Sequence, residues 1–164
     1  MWRRRSPRVK AFFWFFLFTK RTASFLMPHQ YNLRVYYQDT DAGGIVYHAN
    51  YLCFAERARA EALRAMGVPH AEMVRQHGVM FVVRRIKLDY QRPARLDDEL
   101  LIETRILEVG GATATIRQQF WRDSDSLAVL EVSLGCARVA DGRAARMPER
   151  WRTGMQADIE KGIL

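Results

Sequence analysis

Residues 49–66, Ala49-Asn50-Tyr51-Leu52-Cys53-Phe54-Ala55-Glu56-Arg57-Ala58-Arg59-Ala60-Glu61-Ala62-Leu63-Arg64-Ala65-Met66, decide the fold. Tyr51, Ala55, Ala58 and Ala62 recur at steps of three and four, which puts them on one face of a helix. Arg57, Glu61 and Arg64 mark a polar face with favourable pair spacings. The reading is a helix of about five turns, stopped by Gly67 with Pro69 just beyond. The cap falls at Asn50 on sequence alone. So many alanines imply close approach to another surface, most simply a sheet that wraps the helix.

Outward from the helix the chain reads as β. Residues 31–38 place Leu33, Val35 and Tyr37 on one face against Asn32, Arg34 and Tyr36, a strand. Pro69 to His77 reads as a short second helix ended by Gly78. Then Met80–Tyr90, Leu100–Val109, Ala112–Trp121 and Leu127–Val139 are rich in β-branched, aromatic and alternating residues. Gly110-Gly111 is a hairpin turn, Asp123-Ser124-Asp125-Ser126 another turn, and 91–98 a longer connection. Strand, long helix and four successive strands make an α+β layout, one antiparallel sheet of about five strands curled around one long central helix.

The 164 residues fit one domain, and 49% hydrophobic composition with 12% aromatics supplies a core. The formal charge of +8 would suggest nucleic acid or an anionic membrane, but its distribution removes that inference. Seven basic residues and no acid lie in residues 1–27, leaving 19 of the 26 basic residues against all 18 acidic ones. No nucleic-acid partner is expected of a nearly neutral body. Residues 1–27 form a basic and aromatic extension outside the domain at 28–164. Its apolar run, 11–18, is too short to span a bilayer, and Ala23-Ser24-Phe25 is a poor signal-peptide cleavage site. We read it as an upstream extension of the reading frame, with Met27 as the start, because Met27-Pro28-His29 directly precedes strand-like sequence. The alternative is a membrane-surface anchor.

Cys53 and Cys136 form no Cys-x-x-Cys, so neither a disulfide framework nor a zinc site is indicated, and a reducing cytoplasm fits. The four histidines show no His-Glu-x-x-His, which argues against a metal hydrolase. No Walker or dinucleotide-binding glycine pattern occurs, so no nucleotide cofactor is implied. The nearest approach to a serine nucleophile elbow, Glu131-Val132-Ser133-Leu134-Gly135, lacks the first glycine and lies inside a strand.

Chemistry concentrates in residues 36–51, where Asp39-Thr40-Asp41-Ala42-Gly43-Gly44 leads into Tyr47-His48-Ala49-Asn50-Tyr51 at the helix start. A carboxylate, glycines that let the backbone turn sharply, and helix amides without intrahelical partners bring together a base and an oxyanion binder. Asp41 is the favoured base. Asp39 is a second carboxylate, fit for the same role or for structuring the loop, and spacing does not separate the two. His48 reads either as a general base or as a loop residue whose backbone N–H does the work. Tyr37 and Tyr47 read first as packing, with a second role of orienting water or substrate. Glu56 and Glu61 read as exposed or paired helix residues. Arg84, Arg85 and Lys87 form a basic cluster, either a solvated sheet face or an anchor for phosphates.

These residues carry a resemblance to a known family. Val35-Tyr36-Tyr37-Gln38-Asp39-Thr40-Asp41, Gly44-Ile45-Val46-Tyr47-His48-Ala49-Asn50-Tyr51, Glu56-Arg57-Ala58-Arg59 with Glu61, and Pro93-Ala94-Arg95-Leu96-Asp97-Asp98 resemble the 4-hydroxybenzoyl-CoA thioesterase family of hotdog-fold proteins. The likeness is to its Tol-Pal-associated bacterial acyl-CoA thioesterase branch (YbgC type), over about residues 31–150. It implies hydrolysis of acyl-CoA by a cytoplasmic homo-oligomer, a homotetramer built as a dimer of dimers, with sites at subunit interfaces. The position of Asp41 carries the base or nucleophile, and the backbone N–H at His48 polarises the thioester carbonyl. Tyr37 and the His48 side chain are also implicated, Gly44 and Tyr47 line the substrate, and Arg84, Arg85 and Lys87 meet coenzyme A. The resemblance starts the helix near His48. Acyl carrier protein and envelope partners belong to the same expectation; residues 1–27 depart from the family, and their contact with the inner membrane is expected only on the anchor reading. Two rivals are an acyl-binding interaction protein with little turnover and a hydratase or dehydratase on the same fold.

Overall fold

The computed structural model describes residues 28–161; the basic and aromatic extension, and with it the choice between an anchor and an upstream reading frame, lies outside the described residues. The order is β1 (His29–Arg34), a 3-10 turn (Tyr37–Asp39), α1 (Asn50–Ala65), α2 (His70–His77), β2 (Val79–Tyr90), β3 (Glu99–Val109), β4 (Thr113–Arg122), β5 (Asp125–Arg138) and α3 (Glu149–Lys161). The five strands form one antiparallel sheet in the order β1-β3-β4-β5-β2. Among the described residues no helix is long and apolar enough to cross a membrane.

Alternation along β3, β4 and β5 turns Leu100, Ile102, Ile106, Ile116, Phe120, Leu130 and Val132 inward, where Phe54, Ala55, Ala58 and Leu63 of α1 meet them. The small alanines let the helix lie close to the sheet, as the periodicity of residues 49–66 implies. Gly67, at φ +74°, ends α1 as expected, and Val68 N–H closes the turn onto Leu63 C=O at 2.9 Å. Gly78 ends α2 in the same left-handed conformation. The hairpin at Gly110-Gly111 closes with Gly110 N–H donating to Thr113 C=O, 2.8 Å. The next turn is tighter than its composition suggests: Asp125 and Ser126 already belong to β5, and only Asp123-Ser124 connect it to β4.

Two findings depart from the sequence reading. First, β1 ends at Arg34 rather than running to Gln38. The Asp39 carboxylate accepts the Tyr36 N–H at 2.9 Å and Asp39 N–H returns to Tyr36 C=O at 2.9 Å, which curls residues 37–39 and breaks the alternation. Tyr37 therefore leaves the face of Leu33 and Val35 and is 83% exposed. Second, α3 is an element the strand-rich pattern did not announce. Trp151 and Met155 bury against the core, Gly154 lets α3 approach Val68, and Arg150 reaches Glu72 at 2.5 Å and Gly67 C=O at 2.6 Å, tying α3 to α2 and the end of α1.

Candidate active site

Residues 39–47 form a small hairpin that delivers the chain into α1. Tyr47 N–H donates to Asp39 C=O (2.9 Å), Thr40 bridges Val46, and Asp41 N–H donates to Ile45 C=O (3.0 Å). The tip closes through Gly44 N–H to Asp41 C=O (3.0 Å), with Gly44 at φ +71°, a conformation that glycine adopts without a side-chain penalty. The second arm is tied to the 91–98 connection by Val46 N–H to Ala94 C=O, 2.8 Å.

The two aspartates separate in this geometry. Asp39 is only 7% exposed; its Oδ2 accepts the Tyr36 N–H at 2.9 Å, and its carbonyl takes both Tyr47 N–H and Asn50 Nδ2 (2.9 Å). It builds the loop. Asp41 is exposed at the hairpin tip, where Oδ1 accepts the Gly43 N–H at 2.8 Å and Oδ2 has no partner among the described residues. One oxygen orients the carboxylate and the other faces outward, the arrangement a base or nucleophile needs.

Helix α1 starts at Asn50, with Ala49 in the cap position and no side-chain cap bond. This lies between the boundary from sequence, a cap at Asn50, and that from the resemblance, a start near His48. Asn50 does not cap because its side chain is spent on Asp39 C=O. The backbone N–H groups of His48 and Ala49 have no acceptor among the described residues. They stand one residue beyond the Asp39–Tyr47 pair, at the positive end of the helix. The His48 ring is exposed and lies against the Tyr47 ring, centroids 4.4 Å apart.

Four exposed aromatic residues lie on different elements, namely Tyr36 and Tyr37 at the turn, Tyr47, and Tyr90 at the end of β2, and of these Tyr47 and Tyr90 contact His48. Tyr90 Oη donates to His48 C=O at 2.8 Å, and its ring meets Tyr51 edge-on at 5.4 Å. Burial raises the Tyr51 and Tyr90 phenols above their ordinary value of 10.0, so both hold their protons at neutral pH. Tyr90 was invisible to motif reading because 42 residues separate it from His48.

A register shift in β2 between Val83 and Arg85 gathers the basic cluster on one face. Arg85 and Lys87 stand opposite Ser133 and Glu131, away from inward Val132, and the Arg84 stem lies over Gly135. Lys87 meets Asp89 at 3.5 Å, whereas Arg84 and Arg85 have no carboxylate partner among the described residues. Glu56 and Glu61 are paired, with Arg59 and Arg64, as helix spacing suggests.

The family model for the thioesterase superfamily matches residues 43–129, from the glycine pair through most of the sheet. The chain belongs to the thioesterase superfamily. Its relatives within the superfamily include an acyl-CoA thioesterase YbgC from Haemophilus influenzae, 40% identical over 117 residues that make up 71% of this chain and 86% of the relative. An acyl-CoA thioester hydrolase YbgC from Escherichia coli O6:H1 is 44% identical over 95 residues, 58% of this chain and 70% of the relative. Among solved structures, a probable thioesterase from Bartonella henselae superposes with a TM-score of 0.69 at 35% identity, covering 74% of this chain and 99% of the other. The hotdog layout expected from the resemblance is the fold observed.

Proposed function

We propose that this protein hydrolyses acyl-CoA thioesters to a free acid and coenzyme A. The observation that carries the reading is the exposed, singly tethered Asp41 carboxylate on a hairpin whose other arm leads directly into the unpartnered His48 and Ala49 amides. The names of the YbgC relatives supply the substrate class.

In the general-base form, Asp41 takes a proton from water as the water oxygen attacks the acyl carbon. The carbonyl oxygen becomes an oxyanion held by the His48 N–H, and collapse expels the coenzyme A thiolate, which recovers the proton from Asp41. In the nucleophilic form, the Asp41 oxygen itself attacks, releasing the thiolate and leaving an anhydride that water cleaves. A thioester has weak resonance stabilisation and a good leaving group, so one carboxylate and one oxyanion site suffice without a triad. Tyr37, Tyr47 and the His48 ring would border the acyl group, Gly44 would let it approach the backbone, and Arg84, Arg85 and Lys87 would meet the phosphates of coenzyme A.

The same reading makes the enzyme a homo-oligomer, a dimer of dimers. The outermost strand β2 exposes Val83 and Ile86 beside unpaired edge groups, a surface suited to a second copy. We place it in the cytoplasm, where free Cys53 and Cys136 persist, with the Tol-Pal envelope system as its physiological setting. A panel of acyl-CoA substrates of graded chain length, assayed for free thiol with wild type and Asp41→Asn, tests the proposal. Thiol release by wild type and its collapse in the variant is the expected result. Intact acyl-CoA with tight binding would point instead to an acyl-binding interaction protein, and hydration of an enoyl-CoA to a hydratase.

A further inference from the structure

Two consecutive peptides carry the candidate oxyanion donors, and they are anchored differently. In the 47–48 peptide, Tyr47 C=O accepts Asn50 N–H at 2.8 Å, so the chain's own turn fixes the plane and the trans His48 N–H points the opposite way. The 48–49 peptide has no such local anchor. Leu52 N–H, which in a regular helix would reach His48 C=O, bonds instead to Ala49 C=O at 3.0 Å. Among the described residues the His48 carbonyl has one donor, Tyr90 Oη at 2.8 Å, brought from the far end of β2.

We propose that Tyr90 is a positioning residue for the oxyanion site. Its hydroxyl holds the plane of the 48–49 peptide, which directs the Ala49 N–H beside the turn-fixed His48 N–H. A hydrogen bond accepted by a peptide carbonyl also strengthens that peptide's N–H as a donor, so the contact tunes as well as aims. The phenol is braced to do this. Its ring stands edge-on to buried Tyr51, whose own Oη accepts the Ala94 N–H at 3.2 Å, and Ala94 C=O holds Val46 of the hairpin. One chain of contacts thus joins the Asp41 hairpin and the donor peptides. This inference rests on the thioesterase reading above and adds a residue that acts through the backbone of the donor peptides.

Tyr90→Phe keeps the ring and removes the hydroxyl. Its kcat for acyl-CoA hydrolysis should fall about tenfold, less than the loss of an oxyanion donor itself, with KM within about twofold of wild type. The acid limb of its pH–rate profile should keep the wild-type midpoint, since the base is untouched. Independently of turnover, the Ala49 amide nitrogen resonance should shift between wild type and Tyr90→Phe, because the bond at stake is to the carbonyl of its own peptide. An unmoved resonance, an unchanged kcat beside an inactive Asp41→Asn, or a loss of kcat matched by a loss of thermal stability overturns the assignment. Absence of hydrolysis by wild type, with the resonance shift present, would strike the thioesterase reading and leave the peptide anchor standing.

Discussion

Two polar regions flank helix α1, and they differ in completeness. Beneath the helix, Arg59 is 4% exposed; its guanidinium donates to Gln118 Oε1 at 2.7 Å and pairs with Glu56, while Gln118 Nε2 donates to Ala55 C=O at 2.9 Å and Thr104 Oγ1 at 3.1 Å. This network is closed, its buried groups joined to one another and to the backbone. At the start of the helix, by contrast, Asp41 keeps one oxygen open and two amides lack acceptors among the described residues. A closed polar network holds structure, and an open one at the surface is available to a ligand.

Substitution tests this contrast most strongly at Asp41. Asp41→Asn should lower kcat by about 10²- to 10⁴-fold while the unfolding midpoint stays at the wild-type value, because no buried partner is orphaned. A parallel loss of stability would place Asp41 among the structural residues. The opposite pattern is expected from Gln118→Leu, which strands the Arg59 guanidinium next to exposed Glu56 alone. It should cost about 3 kcal/mol in urea unfolding, with turnover per folded molecule intact at low temperature; an unchanged midpoint would show that the network contributes nothing net.

Asp39 sharpens the comparison within one loop. Asp39→Ala removes the acceptor for Tyr36 N–H and should cost about 1 kcal/mol, while turnover falls less than in Asp41→Asn. Equal losses of turnover would erase the distinction between the two carboxylates.

The smallest effect concerns pH. Burial lowers the pKa of His29 and His70 below the ordinary 6.5, so the unfolded chain takes up protons before the folded one. Stability should be level above about pH 6.5 and fall as the solution becomes more acidic. Thermal unfolding between about pH 7.5 and about pH 5 should show this slope, and His70→Phe, whose ring can remain against Phe81, should flatten part of it.

Much of the architecture was legible because burial imposes a period. The alanine stripe of α1, the alternation of β3 to β5, and the glycines at 67 and 78 report local geometry that neighbouring residues share. Misreadings arose where a side chain competed with that period, as Asp39 does in ending β1. They also arose where a helix is amphipathic only with respect to a distant partner, as α3 is toward β3 and Val68. The burial of Arg59 rests on Gln118, 59 residues away, together with Glu56 one turn back on the helix, and the first of these partners carries no local signal.

By itself the sequence determined the helix, the strands that wrap it, and the candidate loop with its carboxylates and glycines, because each depends on residues within a few positions of one another. Tertiary structure decided which aspartate is free, which amides lack partners, and that Tyr90 secures the peptide between them. The Tyr90 contact closes across 42 residues and its partner carries no local signal, and the exposure of Asp41 beside buried Asp39 follows from how the folded hairpin packs.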